Sequence, residues 1–302
     1  MKILVTGGMG FIGKYLVNYL LKKENEIIIF DNFSNSDRKL PVNFKNENIK
    51  VIEGDITKVE EIVNAVKDQD IVIHLAAKIS VDESIKNPTE TFHVNVDGTK
   101  NVLEACEKNH IRKLIVASSA AVYGEGSINN KLNENTKKNP ISPYGESKVM
   151  MEQEIEKFLL KYNSLDCIIL RFFNIFGVGQ TPEYAGVITK FMEKISNNEA
   201  IEIFGDGMQT RDFVSIYDVV KAVNDAIING KNGTYNIASG KTTTINELAE
   251  LMISQSGKNN KIQYFTPKKG DIKFSQADIS LAKKEIKYEP EFNLDEIKNL
   301  ND

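Results

Sequence analysis

Tyr144 and Lys148 stand four residues apart, so on a helix both side chains share one face. A phenol with an ammonium beside it is a candidate base. Its ordinary pKa is near 10, so half-ionisation at pH 7 needs about 3 pH units of help, roughly 4 kcal/mol. One cation about 5 Å away at an effective dielectric of about 20 supplies roughly 3 kcal/mol. Lys148 alone is therefore marginal, and a second positive charge completes the base. The spacing carries nothing by itself. Ten tyrosines and 34 lysines in 302 residues produce about one such pair by chance. The chain has four: Tyr19/Lys23, Tyr144/Lys148, Tyr217/Lys221 and Tyr264/Lys268.

Position separates them. The run Thr6-Gly7-Gly8-Met9-Gly10-Phe11-Ile12-Gly13 follows the first apolar segment and opens a helical pattern. Glycines at Gly7, Gly10 and Gly13 permit a tight turn, close approach to a pyrophosphate and close helix packing. The helix N-terminus behind them offers free N–H groups and positive dipole. This predicts dinucleotide binding. Asp31, eighteen residues after Gly13, closes the second apolar run, where a carboxylate takes the ribose hydroxyls and repels a 2′-phosphate. NAD is expected over NADP, with Arg38 and Lys39 in the next loop as the opposing feature. Asp55, in Gly54-Asp55-Ile56, is expected to face the adenine. The fifth run ends in Ala117-Ser118-Ser119 and delivers a hydroxyl to the edge that holds the dinucleotide. Tyr144 opens the next long helix after Pro140 and Pro143, so of the four pairs it is the one that shares this edge. Beside an oxidised nicotinamide, Tyr144 can take a proton from a substrate hydroxyl while hydride leaves the same carbon. Ser119 can hydrogen-bond the oxygen that becomes a carbonyl.

The elements that must position these groups alternate. Apolar, β-branched runs at Lys2–Val5, Glu26–Phe30, Lys50–Ile52, Asp70–Leu75, Arg112–Ala117 and Asp166–Leu170 predict strands buried on both faces. Helical patterns lie near 11–22, 57–67, 88–109 and 144–161. The order predicts an α/β fold, a doubly wound parallel sheet of the Rossmann type. After residue 172 come a Gly/Pro loop, a helix near 184–197, a strand and turn at Ile201–Gly207, a helix at 215–229 and another opened by Thr244. These predict a smaller C-terminal α/β substrate lobe. Residues 1–171 and about 211–236 are assigned to the dinucleotide domain, about 172–210 and 237–302 to the lobe.

Composition narrows the class. A net charge of −4 provides no basic field for nucleic acid or an anionic membrane. No apolar run approaches the ~18 residues that span a bilayer, and the start turns to glycine too soon for a signal peptide. Cys106 and Cys167 lack a Cys-x-x-Cys partner and lie in apolar stretches, the pattern of buried thiols in a reducing cytoplasm. His74, His93 and His110 have no metal-ligand spacing, and no metal is expected.

The chain resembles the extended short-chain dehydrogenase/reductase family, and within it the UDP-glucose 4-epimerase branch. The resemblance runs through Thr6–Gly13, Asp31-Asn32, Gly54-Asp55-Ile56, His74-Leu75-Ala76-Ala77, Asn95–Thr99, Ser118–Gly124, Tyr144–Lys148, Arg171–Asn174 and Arg211-Asp212. It implies that NAD touches Phe11, Ile12, Asp31, Asn32, Phe33, Ser34, Asn35, Ser36, Asp55, Ile56, Leu75, Ala76, Ala77, Lys78, Asn95 and Phe173, together with Tyr144 and Lys148. It implies Ser119, Tyr144 and Lys148 as the catalytic trio, and a structural role for His74. For the substrate, a UDP-hexose, it implies Ser119, Tyr144, Asn174, Val187, Phe204, Arg211, Lys268, Asp271 and Ser275. Sugar-nucleotide 4,6-dehydratases carry an Asp-Glu pair where this chain has Ala120 and Ala121, which disfavours water loss. A redox-neutral 4-epimerisation through a 4-keto sugar remains. A UDP-glucuronate decarboxylase or 4-epimerase and a non-catalytic NAD-binding sensor are the alternatives.

Two finer expectations follow. Ser275 falls where epimerases restricted to UDP-glucose and UDP-galactose carry Tyr, so N-acetylated sugars are expected to fit; a slip of one residue would put Phe274 there instead. Apolar residues beyond one face of the helices near 88–109 and 144–161 (Phe92, Val94, Val96, Val102, Leu103; Val149, Met150, Met151, Ile155, Phe158, Leu159) predict a homodimer, since relatives pair these helices across a two-fold axis.

Overall fold

The apolar runs become strands because nothing but a two-sided core can cover them. In the computed structural model, which describes residues 1–302 apart from 37, 39, 40, 42, 43, 45, 46, 129, 163, 181–185, 268–270, 296 and 298–302, the first half alternates strand and helix. In order come β1 (Lys2–Thr6), α1 (Phe11–Leu21), β2 (Glu26–Asp31), β3 (Ile49–Glu53), α2 (Val59–Ala65) and β4 (Ile71–His74). Then follow α3 (Val81–Lys86), α4 (Pro88–Phe92), a π-helical turn (His93–Asp97), α5 (Gly98–Lys108), β5 (Lys113–Ser119), α6 (Pro143–Lys161) and β6 (Asp166–Phe172). The second half contains β7 (Asn174–Phe176), α7 (Val187–Ser196), β8 (Ile201–Phe204), β9 (Thr210–Arg211), β10 (Phe213–Ser215) and α8 (Ile216–Asn229). It ends with β11 (Gly233–Ile237), β12 (Thr243–Thr244), α9 (Ile245–Ser256), β13 (Ile262–Phe265) and α10 (Ser280–Glu285).

Seven strands form one parallel sheet in the order β11-β6-β5-β4-β1-β2-β3. Strand order reverses between β1 and β4, and ligands of such sheets bind at that crevice. Leu16, Leu20, Val219 and Val223 cover one face from α1 and α8. Ile62, Val102, Leu103, Met151 and Ile155 cover the other from α2, α5 and α6. A third cluster joins Ile188, Phe191 and Ile195 of α7 to Ile201 and Ile203 of β8 and Leu248 and Met252 of α9. Residues 277–288 pack back on the first face through Ala277, Ala282, Ile286 and Tyr288. Cys106 and Cys167 are free and buried. Among the described residues no helix is long and apolar enough to cross a membrane.

The single helix expected near 88–109 is broken. Asn87 caps α4 with Pro88 at its first position, and the chain then widens into the π-turn before α5. The extra residue in that turn rotates Asn95 into the interior, where it is 1% exposed. Of the apolar residues taken as surplus, Val96, Val102, Leu103, Met151 and Ile155 are buried within this one chain, and Met150 is exposed. The helix expected near 184–197 is described from Val187 onward.

Candidate active site

The glycine turn is tight by necessity. Gly7 has φ +68°, and a Cβ on it would lie 2.7 Å from the Ala76 nitrogen. A Cβ on Gly13 would meet the Gly7 carbonyl at 2.4 Å. Gly10 begins α1 with no side-chain cap and no acid in the first turn, so the leading N–H groups face the crevice unmasked. This cradle fits a pyrophosphate. At the end of β2, Asp31 is 8% exposed; its Oδ2 accepts the Met9 N–H at 2.9 Å and its Oδ1 the Phe33 N–H at 2.8 Å. The acid is thereby fixed to both the turn and the following loop. Arg38, the feature that could have favoured a 2′-phosphate, is forked onto Glu53 at the end of β3, with Nη2–Oε1 2.7 Å. Lys39 lies outside the described residues.

A cleft of about 1430 Å³ runs from this turn across the ends of β1, β4 and β5 to β8 and the 271–272 segment. That exceeds the ~300–1,000 Å³ of a usual small-molecule pocket. Its wall includes Gly7, Gly10, Phe11, Ile12, Gly13, Asp31, Asn32, Ser34, Asn35, Ser36, Ile56, Leu75–Lys78 and Phe173. It also includes Ser119, Tyr144, Lys148, Asn174, Val187, Phe204, Arg211 and Asp271. Phe33, Asp55, Asn95 and Ser275 are not on the wall, and neither is Phe274. Lys268 lies outside the described residues. Asp55 instead holds Asn32 through Nδ2 at 3.2 Å and takes the Thr57 N–H and hydroxyl. Burial pushes its carboxyl up, but these bonds prevail and leave it below its usual range. Ser275 is 6% exposed. The segment before it is pinned by Glu125, which accepts the Lys273 and Phe274 N–H groups at 2.9 Å each.

The helix α6 presents Tyr144 and Lys148. Ser142 caps it, accepting the Gly145 N–H at 3.1 Å, with Pro143 in the first turn. Ser119 and Tyr144 meet on the cleft wall. Burial raises the Tyr144 pKa above its ordinary value, and the Ser119 hydroxyl offsets part of this. Lys148 is 3% exposed and donates to the Ala117 carbonyl at 2.9 Å. Burial pushes its pKa down to about 8, with Glu152 acting against the fall. The protein's own groups thus leave the phenol harder to ionise than in water, and the nearby cation does not reverse this. Ala121 lines the cleft beside them, where a dehydrating enzyme would need an acid.

His74 is a neutral bolt. Its Nδ1 faces the Thr6 hydroxyl at 2.8 Å and its Nε2 the Thr99 hydroxyl at 3.0 Å. Thr99 donates to the Asn95 carbonyl at 2.7 Å, so it accepts from the ring and the proton belongs on Nε2. Thr6 accepts the Ala76 N–H at 3.2 Å. Asn95 in turn takes the Lys78 N–H at 2.8 Å and donates to the Lys78 carbonyl and the Ser147 hydroxyl, each at 2.9 Å. Ser147 donates to the Tyr144 carbonyl at 2.7 Å. One chain of bonds therefore runs from the β4 loop to the catalytic helix. Sequence reasoning gave Asn95 and Lys78 to the nucleotide but missed this linkage, because no spacing marks it.

At the far end, Arg211 is set by Asp271 at 2.6 Å and by the Ile272 carbonyl at 2.6 Å. Burial lowers its pKa, and Asp271 counters this. Asp212 behind it accepts from Ser239 Oγ, the Ser239 and Gly240 N–H groups and the Ala277 N–H. Burial pushes the Asp212 carboxyl up to about 6 despite these donors. Among the described residues no group of three or more His, Cys, Asp or Glu gathers in a metal-binding arrangement.

A Tyr-x-x-x-Lys pair and a dinucleotide cradle on a doubly wound sheet define a member of the short-chain dehydrogenase/reductase class. The chain belongs to the NAD dependent epimerase/dehydratase family, which it matches over residues 3–238. It is 35% identical to the UDP-glucose 4-epimerase of Thermotoga maritima solved with UDP-glucose, with a TM-score of 0.93 over 99% of this chain and 97% of that one. It is 37% identical to the UDP-N-acetylglucosamine 4-epimerase of Methanobrevibacter ruminantium M1 solved with UDP-N-acetylmuramic acid, with a TM-score of 0.91 over 99% and 95%. A UDP-glucuronate 4-epimerase of Thermodesulfobacterium geofontis is 32% identical over 97% of this chain and 92% of its own length.

Burial holds the His74 pKa down at about 3, helped by the charge of Lys148. The unfolded chain therefore binds this proton first, and stability falls as pH drops below about 6.5, by roughly 4–5 kcal/mol at pH 3. Above pH 6.5 the effect vanishes. His74→Asn removes it, so urea unfolding between pH 7 and pH 4 is expected to show a shallower acid slope in the variant than in the wild type.

Proposed function

We propose that the protein is a UDP-hexose 4-epimerase that keeps NAD as a resident cofactor. The observation that carries this reading is the Tyr144–Ser119 pair on the same wall as the glycine turn, with Ala121 beside it. Asp31, the turn at Gly7–Gly13 and Lys148 would hold NAD; when bound, it accepts hydride from the sugar C4 and returns it to the other face. Tyr144 removes the C4 hydroxyl proton and gives it back. Its raised pKa means that ionising the phenol needs positive charge beyond that of Lys148, which NAD would supply when bound. Ser119 holds the sugar oxygen while it is a carbonyl. Asn174 and Arg211 take the diphosphate, and Phe204, packed on Phe265 with ring centroids 5.7 Å apart, forms the apolar wall for the base. A C5 carboxylate, as in the glucuronate relatives, would need a cation there; Lys78 and Arg211 are each paired with an acid, Glu90 and Asp271, and Lys14 and Lys190 also line the cleft, so the UDP-glucuronate arm of the test decides this point.

The third apolar cluster supports about 172–210 and the part of 237–302 that carries α9 as the substrate lobe, whereas residues 277–288 pack on the main sheet. Cys106 and Cys167, free and buried, support a reducing, cytoplasmic location. The homodimer reading now rests on less surface, with Met150 and Leu160 the large apolar residues exposed on α6, at 43% and 90%. Light scattering at micromolar concentration is expected to give twice the chain mass of 33.9 kDa; a monomer would overturn it.

The function is tested by sugar-exchange NMR with UDP-glucose, UDP-GlcNAc and UDP-glucuronate and no added NAD. Interconversion of UDP-glucose and UDP-galactose is expected; activity confined to UDP-glucuronate would overturn the reading. Tyr144→Phe is expected to lower kcat by at least ~10²-fold while NAD stays bound, the usual scale for a general base. Normal turnover would remove Tyr144 from the reaction. Ser275 is not on the wall, and we assign to it the room for an acetamido group. Native enzyme is expected to interconvert UDP-GlcNAc and UDP-GalNAc, and Ser275→Tyr to lose that activity selectively. Equal handling by the tyrosine variant would refute the assignment.

A further inference from the structure

Beneath the catalytic edge lies an ion cluster that the proton transfer does not touch. Glu152 follows Lys148 by one helical turn and is wholly buried, and Arg171 on β6 is 2% exposed. Arg171 forks onto the carboxylate, Nε to Oε1 at 2.9 Å and Nη2 to Oε2 at 2.7 Å. Lys138 reaches Oε2 at 2.8 Å, and the Ser118 hydroxyl donates to Oε1 at 2.7 Å. Each carboxylate oxygen therefore has two donors. Ser118 is the neighbour of Ser119, so the same acid holds the strand end that presents the catalytic hydroxyl.

A buried ion pair is weak evidence for stability, because desolvation cancels most of the attraction. Its location carries more. The charged and titratable groups around Lys148 come from every packed element: His74 on β4, neutral; Tyr144 and Glu152 on α6; Arg171 on β6; and Lys138 on the connecting segment, which also meets Glu156 at 3.4 Å. Glu134 lies beyond Arg171, its Oε1 taken by the Asn236 N–H at 2.8 Å. Without Glu152, three cations would share this interior with their nearest acid gone.

We infer that Glu152 is a positioning residue of the reaction, its carboxylate set one helical turn behind Lys148 and, through Ser118, fixing the strand end that carries Ser119. Burial alone drives Lys148 toward neutrality at the working pH, and the Glu152 charge opposes it. The inference rests on the Tyr144–Lys148 reading of the site.

The test follows Lys148 itself. Its ¹³Cε resonance, assigned with Lys148→Met, is titrated in the NAD-loaded protein for wild type, Glu152→Gln and Arg171→Met, with thermal unfolding to confirm the fold. The wild-type midpoint is expected near 8. Glu152→Gln should lower it by about one pH unit, and the alkaline limb of kcat should move with it, roughly a five-fold loss at pH 8. Arg171→Met breaks the same fork but removes a cation, so the midpoint should rise. A purely structural role would move both variants together. A midpoint that falls in both, or moves in neither, overturns the inference, and so does a kcat limb that stays while the midpoint moves. If Glu152→Gln does not fold, a midpoint that fails to rise in Arg171→Met has the same force. The titration needs no substrate. Failure of the epimerase reading therefore shows as absent turnover with the Lys148 shifts intact, whereas failure of this inference shows in the titration.

Discussion

The site depends on how closely two strand ends approach. The turn after β1 and the loop after β4 lie so near that a methyl group on Gly7 would collide with the Ala76 backbone. That contact forms the floor on which a pyrophosphate can rest, and it exists because β1 and β4 are neighbours at the point where strand order reverses. Everything above it is referred to the same floor. His74 ties Thr6 to Thr99, the π-turn brings Asn95 inward, and Asn95 and Ser147 fix the first turn of α6. A chain of neutral hydrogen bonds suits this purpose, since its partners are satisfied and its geometry is specific.

The sheet and the glycine turn were readable because each depends on local pattern. Strands buried on both faces show as unbroken Val/Ile/Leu runs, and a glycine turn between strand and helix has few other uses. Six of the seven sheet strands were placed within two or three residues. What escaped notice is pairing between distant, short segments. β7 with β10, β9 with β12 and β8 with β13 are two- to four-residue ladders whose partners lie far along the chain. Such strands have too little length for a period to emerge. The π-turn was invisible for a different reason: residues 88–109 have helical periodicity throughout, and the extra residue is stabilised by Asn95 bonds to Lys78 and Ser147, which are tertiary. Glu152 offered only its spacing from Lys148, and a Glu on a helix is ordinarily a solvated one.

The phenol and the lysine also corrected a simple electrostatic picture. A cation at helical spacing should favour the phenolate, yet burial raises the Tyr144 pKa and lowers that of Lys148. The two effects share one cause, the low dielectric that makes each charge costly. Lys148 spends its hydrogen bond on the Ala117 carbonyl rather than on the phenol.

The outermost strand β11 has a consequence for how the chain comes into being. It is the last strand of the main sheet to be made, yet it pairs with β6, some sixty residues earlier. Until it emerges from the ribosome, β6 presents an unpaired edge, the kind of surface on which nascent chains associate wrongly. Asn236 on β11 then accepts from the Tyr123 hydroxyl and donates to the Leu132 and Asp278 carbonyls. The sheet is thus sealed by a segment that is bolted to residues both before and after it in the sequence. Synthesis must pass residue 237 before the β6 edge is covered, so pausing in the lobe would prolong its most vulnerable state.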